Sequence, residues 1–105
     1  MLEYEVTERA GDWVVLQLHG ELAGQLYTEL LRRALEDHFV DDGVTVIRVD
    51  LAPLSFLDNH GVATLLALAK ESERRGKRFR MERPEGQVLE KLEVTGVLKV
   101  LREGG

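Results

Sequence analysis

The sequence predicts a single α/β domain, residues 1–105, built on a mixed β-sheet packed against helices. Segments rich in β-branched residues alternate with amphipathic segments in the order β-β-α-β-α-β-α. Strands that alternate with helices indicate βαβ units with parallel pairing, whereas a short turn between the first two strands indicates an antiparallel hairpin. A length of 105 residues also suits one domain. We therefore expect a single layer of sheet that opens with a hairpin and continues as βαβαβα.

The opening hairpin is predicted near the amino terminus. Residues 3–7 alternate polar and apolar side chains, as a half-buried strand does. Residues 13–19 are rich in aromatic and β-branched side chains and end at Gly20. Between them, residues 10–12 supply turn-forming Gly and Asp. We expect Trp13 to lie in the core or at its edge.

A helix and a buried strand are predicted next. From about Gly24 to Phe39, apolar residues recur at spacings of three and four, which is typical of an amphipathic helix that ends before residues 41–43. Residues 44–51 form the most strand-like segment, bounded by turn residues and by Pro53. Its apolar residues nearly fill both faces, which favours a central strand covered by helices.

The second half of the chain is predicted to form a loop, a helix, a short strand and a last helix. These elements cover residues 52–59, 61–75, 77–83 and 84–93. Gly76 stands at the expected C-terminal cap of the first of these helices, and Pro84 suits the first turn of the second. Residues 97–101 are expected to form a short strand or a docked extended tail.

Composition and spacing exclude several classes of function. The absence of Cys excludes a disulfide framework, a thiolate metal site and a Cys nucleophile. The net charge of −5 argues against nucleic acid as the main partner. His19, His38 and His60 are too far apart for a helical metal pair, and neither Ser55 nor Ser72 lies in a nucleophile elbow. We expect no metal, no cofactor and no enzymatic activity.

Charge is distributed unevenly along the chain. Residues 1–42 carry ten acidic and three basic side chains, whereas residues 70–83 carry seven basic and three acidic ones. The basic stretch is either a docking surface for an acidic partner or a solvated helix end that complements the helix dipole.

The amino terminus and the longest apolar run bear on location. Residues 1–5 lack the basic and apolar regions of a secretory signal. Residues 62–69 form the longest apolar run, which is shorter than the roughly 18 residues of a spanning helix. We expect a cytoplasmic protein without direct membrane insertion, for which a membrane role comes only through a partner.

Residues 54–61 are the candidate functional segment. They follow the predicted central strand and open a helix, and loops at the carboxyl ends of strands are where open α/β sheets meet ligands and partners. A helix N-terminus also carries free N–H donors and a partial positive charge. The alternative is that Asp58 or Asn59 only caps the helix, which stabilises a fold by about 1 kcal/mol.

Residues 46–61, VIRVDLAPLSFLDNHG, resemble the signature of the STAS family, named for sulfate transporters and anti-sigma factor antagonists. That signature is an apolar strand, a loop of the form apolar-x-Phe/Tyr-apolar-Asp-Ser-Ser-Gly and an apolar helix. LHGEL at residues 18–22, RGK at residues 75–77 and the late Gly96 are further likenesses. The resemblance extends over residues 2–101 and implies a mixed sheet packed on helices.

The resemblance implies a regulatory protein-binding module. In the anti-sigma factor antagonist branch, a partner kinase phosphorylates the second Ser of Asp-Ser-Ser-Gly, and the added charge abolishes binding. Here the motif is Asp58-Asn59-His60-Gly61, so His60 stands at the phosphoacceptor position and the acceptor hydroxyl is absent. We expect these four residues to bind an anti-sigma factor or serine kinase without the usual switch.

Several alternatives stay open at this point. A family branch without the acceptor Ser serves lipid-transporting ABC systems by binding their ATPase, so an accessory transporter subunit is the main alternative. Ser55, Thr64 and phosphohistidine at His60 are other chemically feasible acceptors. A phosphate held at the turn of residues 59–61 would instead indicate a nucleotide or small-ligand module, and a weak homodimer also remains open.

Overall fold

The computed structural model describes residues 1–99 of the chain. In chain order the elements are β1 Leu2–Ala10, β2 Trp13–Leu22, α1 Thr28–Phe39, β3 Val46–Asp50, β4 Leu54–Leu57, α2 Asn59–Arg74, β5 Arg78–Glu82 and α3 Gly86–Val94. All five strands belong to one sheet of order β1-β2-β3-β5, with β4 paired to β2. The predicted single-layer mixed sheet with helices is confirmed.

The sheet is antiparallel only at its start. β1 and β2 form the predicted hairpin, whose turn contains Gly11 at a φ of +54°. β3 pairs with β2 in parallel and β5 pairs with β3 in parallel, so β3 is an internal strand as predicted. β4 pairs with β2 at Gly20–Leu22, on the side of β2 that faces away from β1. β3 and β4 therefore follow one another along the same side of β2.

Three expectations about secondary structure are wrong. Residues 54–57, predicted as part of a loop, form β4 because they pair with the end of β2. α2 begins at Asn59 rather than Gly61, since Asp58 is its N-terminal cap. Residues 97–99 are helical rather than a strand or extended tail, and Val97 packs into the core. Val100 and Leu101 lie outside the described residues.

Two other helix starts also differ by a few residues from the prediction. α1 begins at Thr28 rather than near Gly24, because Gly24 adopts a φ of +84° that a helix does not allow. α3 begins at Gly86 rather than at Pro84. Gly76 follows α2 with a φ of +76°, as expected for a glycine just beyond a helix.

The helices pack on one face of the sheet. Alternate residues of β2 and β3 point into a single apolar core, as a period of two requires. Fully buried side chains from the sheet and the helices meet there: Val14, Leu16, Leu18, Ile47, Val49, Leu31, Leu35, Leu65, Leu68, Val88 and Leu92. Because every helix contributes to this one cluster, residues 1–99 leave the other face of the sheet without a helix. Within the same range, no helix has the length and apolar character needed to cross a membrane.

Candidate functional site

Asp58 lies between β4 and α2, and its carboxylate is shared by two segments of the chain. Its Oδ1 accepts a hydrogen bond from the backbone N of Gly61 at 3.0 Å, which caps the helix. Its Oδ2 accepts from the backbone N of Gly24 at 2.8 Å, which ties the loop between β2 and α1 to the start of α2. The hydrogen bond from Gly24 lowers the pKa of Asp58 below its ordinary value. Partial burial acts in the opposite direction, and the hydrogen bond from Gly61 adds to the lowering.

Gly61 sits against the end of β2 with no room for a side chain. A Cβ atom at this position would lie 2.1 Å from the carbonyl oxygen of Leu22 and 2.5 Å from Cδ1 of Leu57. The first turn of α2 therefore packs directly on the backbone of the sheet. Any residue larger than glycine would push the helix start away from β2.

Asn59 and His60 face solvent between these two supporting residues. The side chain of His60 is 57% exposed, and its Nδ1 lies 3.5 Å from Oδ2 of Asp58. The structure thus brings all four predicted site residues together in one turn. Asp58 and Gly61 hold the backbone, while Asn59 and His60 present an amide and an imidazole at the surface.

The two neighbouring hydroxyls have different surroundings. Thr64 is fully buried, and its Oγ1 donates to the carbonyl of His60 and accepts from the backbone N of Tyr27, both at 3.0 Å. A kinase cannot reach this hydroxyl without opening the core. Ser55 is exposed on β4, and its Oγ donates to the carbonyl of Gly20 at 2.8 Å.

The loop between β2 and α1 completes the surface, and reasoning from the sequence missed it. Its Gly24 and Tyr27 are each hydrogen-bonded to the start of α2, so the intervening Leu26 is held beside the candidate turn. Leu26 is 60% exposed and Leu30, in the first turn of α1, is 41% exposed. The sequence signal for this loop was the glycine at position 24, a residue that permits a tight turn. In the structure Gly24 has a positive φ, as such a turn requires.

The turn and the adjoining loop offer several kinds of contact at the surface. It combines an ionised carboxylate, an amide, an imidazole and exposed leucines on a fixed backbone. Groups of three or more His, Asp or Glu side chains suited to a metal ion do not occur in residues 1–99. A surface with both apolar and polar groups suits a protein partner.

The chain is similar to known proteins in both sequence and fold. The family described as "Mlab, STAS domain" matches residues 6–103. A search of curated proteins found no significant match. Among solved structures, the anti-sigma factor antagonist SpoIIAA in its unphosphorylated form is 25% identical, with a TM-score of 0.68 over 90% of this chain and 81% of that chain.

Two further structures share the fold. An anti-sigma factor antagonist from Mycobacterium paratuberculosis is 20% identical, with a TM-score of 0.64 over 95% of this chain and 82% of that one. The murine anion transporter Slc26a9 is 17% identical, with a TM-score of 0.67 over 88% of this chain but 15% of the transporter. Since the family match covers nearly the whole sequence and the SpoIIAA fold agrees with it, the chain belongs to the STAS domain family.

Proposed function

We propose that this STAS domain is a regulatory protein-binding module that acts like an anti-sigma factor antagonist. Its binding surface would consist of Asp58, Asn59, His60 and Gly61 with the adjoining loop of residues 23–27. The observation that carries the proposal is the Asp58 carboxylate, which bridges the backbone of Gly24 and Gly61 and holds both segments in one surface. The proposed partner is a cytoplasmic anti-sigma factor or serine kinase, and the likeness to the anti-sigma factor antagonist SpoIIAA supports the first of these.

The imidazole at position 60 gives this module one binding state. In the family's switch, a phosphate adds about two negative charges at this position. Here the position carries no hydroxyl, and the nearby hydroxyl of Thr64 is buried and hydrogen-bonded. The exposed hydroxyl of Ser55 lies on β4, outside the motif position, and donates to the carbonyl of Gly20. Binding to the partner should therefore be insensitive to ATP and to kinase activity.

The test is capture of partners from source cells by the tagged full chain, with identification by mass spectrometry. The wild type should recover an anti-sigma factor or small kinase, and Asp58→Ala and His60→Glu should recover at least tenfold less. Glu90→Lys, an exposed substitution on α3, is the matched control for a surface charge change. If both site variants bind like the wild type, the surface lies elsewhere.

The same partner then tests the fixed state. Intact mass after incubation with the captured kinase and ATP should show no added phosphate on the wild type. His60→Ser restores the hydroxyl found at this position in the family. After incubation this variant should show a species of about +80 Da, and the phosphorylated form should bind the partner more weakly. A stoichiometric phosphate on the wild type would contradict the fixed state.

An accessory subunit of an ABC-type lipid transporter is the second candidate. The observation that favours it is His60 at the position of the acceptor Ser. The resemblance implies that the family branch without this Ser binds the ATPase of a transporter. The capture experiment separates the two candidates, because this one requires an ATPase among the recovered proteins.

A further inference from the structure

The face of the sheet opposite the helices is sorted by charge from one edge to the other. Residues that pair across neighbouring strands lie on the same face, so the register identifies its rows. The central row runs from Glu8 through Val15 and Arg48 to Arg80. It begins with an exposed carboxylate on β1 and ends with an exposed guanidinium on β5.

The charges inside this face are already neutralised. Nη2 of Arg83 lies 2.6 Å from Oδ2 of Asp50, and Nη2 of Arg48 lies 2.9 Å from Oε1 of Glu82. The guanidinium of Arg48 also lies over the ring of Trp13, 5.5 Å from its centroid.

Other exposed charges at the two edges, in contrast, form no ion pair within residues 1–99. Exposed side chains of this kind on the open face are Glu3, Glu8, Arg78 and Arg80. They leave an acidic edge along β1 and a basic edge along β5.

A groove of about 570 Å³ runs over the middle of the face. Its floor includes Val15, which is 7% exposed, and Gln17. Glu8 lines it on the acidic side and Arg83 on the basic side. The face therefore presents a centre whose charges are paired, between edges of opposite sign, which is the pattern of a self-complementary surface.

We propose that a second copy of this chain docks on this face, with its sheet stacked on the first and the two-fold axis parallel to the strands. Such an axis, passing through the middle of the central row, places Glu8 of one copy opposite Arg80 of the other, twice per dimer. An axis perpendicular to the strands would instead oppose β1 with β1 and place like charges together. The arrangement of charges therefore selects the first axis, and the dimer is isologous.

The size of the face predicts weak association. With a spacing of about 4.8 Å between strands, β1 and β5 lie about 14 Å apart, and five residues of a strand extend about 17 Å. Such a face buries less than the roughly 800 Å² per partner of a standard interface. We expect dissociation in the high-micromolar range and strong dependence on salt, because the edge charges are exposed.

The first measurement is sedimentation equilibrium of the full chain over a series of concentrations. In about 20 mM salt the chain should dimerise, and the dissociation constant should rise about tenfold at 300 mM salt. A chain that stays monomeric at millimolar concentration in low salt overturns the proposal. So does a dimer whose affinity does not change with salt.

Charge reversal tests the geometry. Glu8→Lys and Arg80→Glu should each weaken the dimer about tenfold, because each turns two attractions into two repulsions. The chain that carries both substitutions should recover wild-type affinity, and an equimolar mixture of the two single variants should form a heterodimer. Both residues are exposed and form no ion pair within residues 1–99, so the fold should tolerate these changes.

Controls separate this arrangement from others. Glu90→Lys changes the net charge by the same amount as Glu8→Lys but lies on α3, and it should leave the dimer unchanged. Stronger association of Glu8→Lys would indicate β1 stacked on β1 and would overturn the proposed axis. Failure of the double variant to recover would overturn the pairing of Glu8 with Arg80. None of these outcomes depends on the partner proposed for the Asp58–Gly61 turn.

Discussion

Gly61 and Asp58 hold the candidate turn by different means, one by absence of a side chain and the other by its carboxylate. Gly61 lets α2 meet the carbonyl of Leu22, and Asp58 joins that helix to the loop before α1. Neither role depends on the exposed side chains of Asn59 and His60. At this scale, support and presentation belong to different residues of the same four-residue motif.

Gly61→Ala should destabilise the protein by about 2–3 kcal/mol, because its Cβ would overlap backbone that cannot move without shifting α2 or β2. Urea unfolding followed by circular dichroism measures this loss. His60→Ala, at the exposed neighbouring position, is the control and should change stability by less than about 0.5 kcal/mol. Equal stability of the two variants would show that the helix start can shift freely.

Asp58→Ala should lower the free energy of unfolding by about 1 kcal/mol through the lost cap. It also leaves the backbone N of Gly24 without its acceptor, so the loop should exchange amide hydrogens faster. Hydrogen exchange at residues 23–27 is the decisive measurement. Asp58→Asn, which keeps one acceptor oxygen, should show a smaller increase, and unchanged exchange in Asp58→Ala would contradict the tie.

Among the elements, β4 and α2 act as one unit with the start of α1. β4 fixes the position of the turn relative to the sheet by pairing with the end of β2. Thr64 links α2 to Tyr27, the residue that precedes α1. The exposed Leu26 of the loop is thus positioned by a helix that lies far from it in the sequence.

Thr64→Val should cost about 1–3 kcal/mol, since the backbone N of Tyr27 loses its acceptor on the buried Thr64 while the shape of the side chain is kept. Thermal or urea unfolding measures this loss. Thr64→Ser keeps the hydroxyl and should recover part of the stability. If valine and serine destabilise equally, packing of the methyl group rather than the hydrogen bond links the helices.

Periodicity predicted most of these elements, and the exceptions have a common cause. The hairpin, the internal strand and the amphipathic helices carry their pattern within a few consecutive residues. β4 is four residues long, directly follows Pro53, and becomes a strand only by pairing with residues 20–22. The loop of residues 23–27 joined the site by hydrogen bonds to distant positions, which local patterns do not contain. The motif at residues 58–61 was recognised because its members are adjacent in the chain.

At the scale of the whole molecule, the sheet separates a helical face from a polar one. Asp50 is 4% exposed on the polar face and is held by Gln17 from β2 and by Arg83 from beyond β5. Arg83 reaches it from a left-handed backbone, with a φ of +55°, just before Pro84. This network ties three strands together where no helix of residues 1–99 covers them.

The network predicts sensitivity to acid. Burial opposes ionisation of Asp50, but hydrogen bonds from Arg83, Gln17 and the backbone of Ala52 lower its pKa below the ordinary value. The ionised carboxylate therefore stabilises the fold above the unfolded pKa of about 3.9, and this contribution is lost as the pH falls through the lower folded pKa.

Arg83→Gln should destabilise the protein at pH 7 and should flatten the fall in stability between about pH 5 and pH 3. Urea midpoints at pH 7, 5 and 3 measure both effects. Arg80→Gln, a change of an exposed arginine on the same face, should leave the acid profile unchanged. The same acid profile for Arg83→Gln and the wild type would assign the acid sensitivity to other carboxylates.

The division of labour in the Asp58–Gly61 turn has a consequence for how such proteins diverge. The side chain at position 60 can be replaced without disturbing the turn, because other residues hold it. The carboxylate of Asp58 and the hydroxyl of Thr64 supply hydrogen bonds, and Gly61 allows the close approach to β2. A substitution at this position would thus change the side chain that the turn presents while the contacts that hold the turn stay in place. Position 60, like the exposed position 59, can therefore vary, whereas Asp58 and Gly61 are constrained.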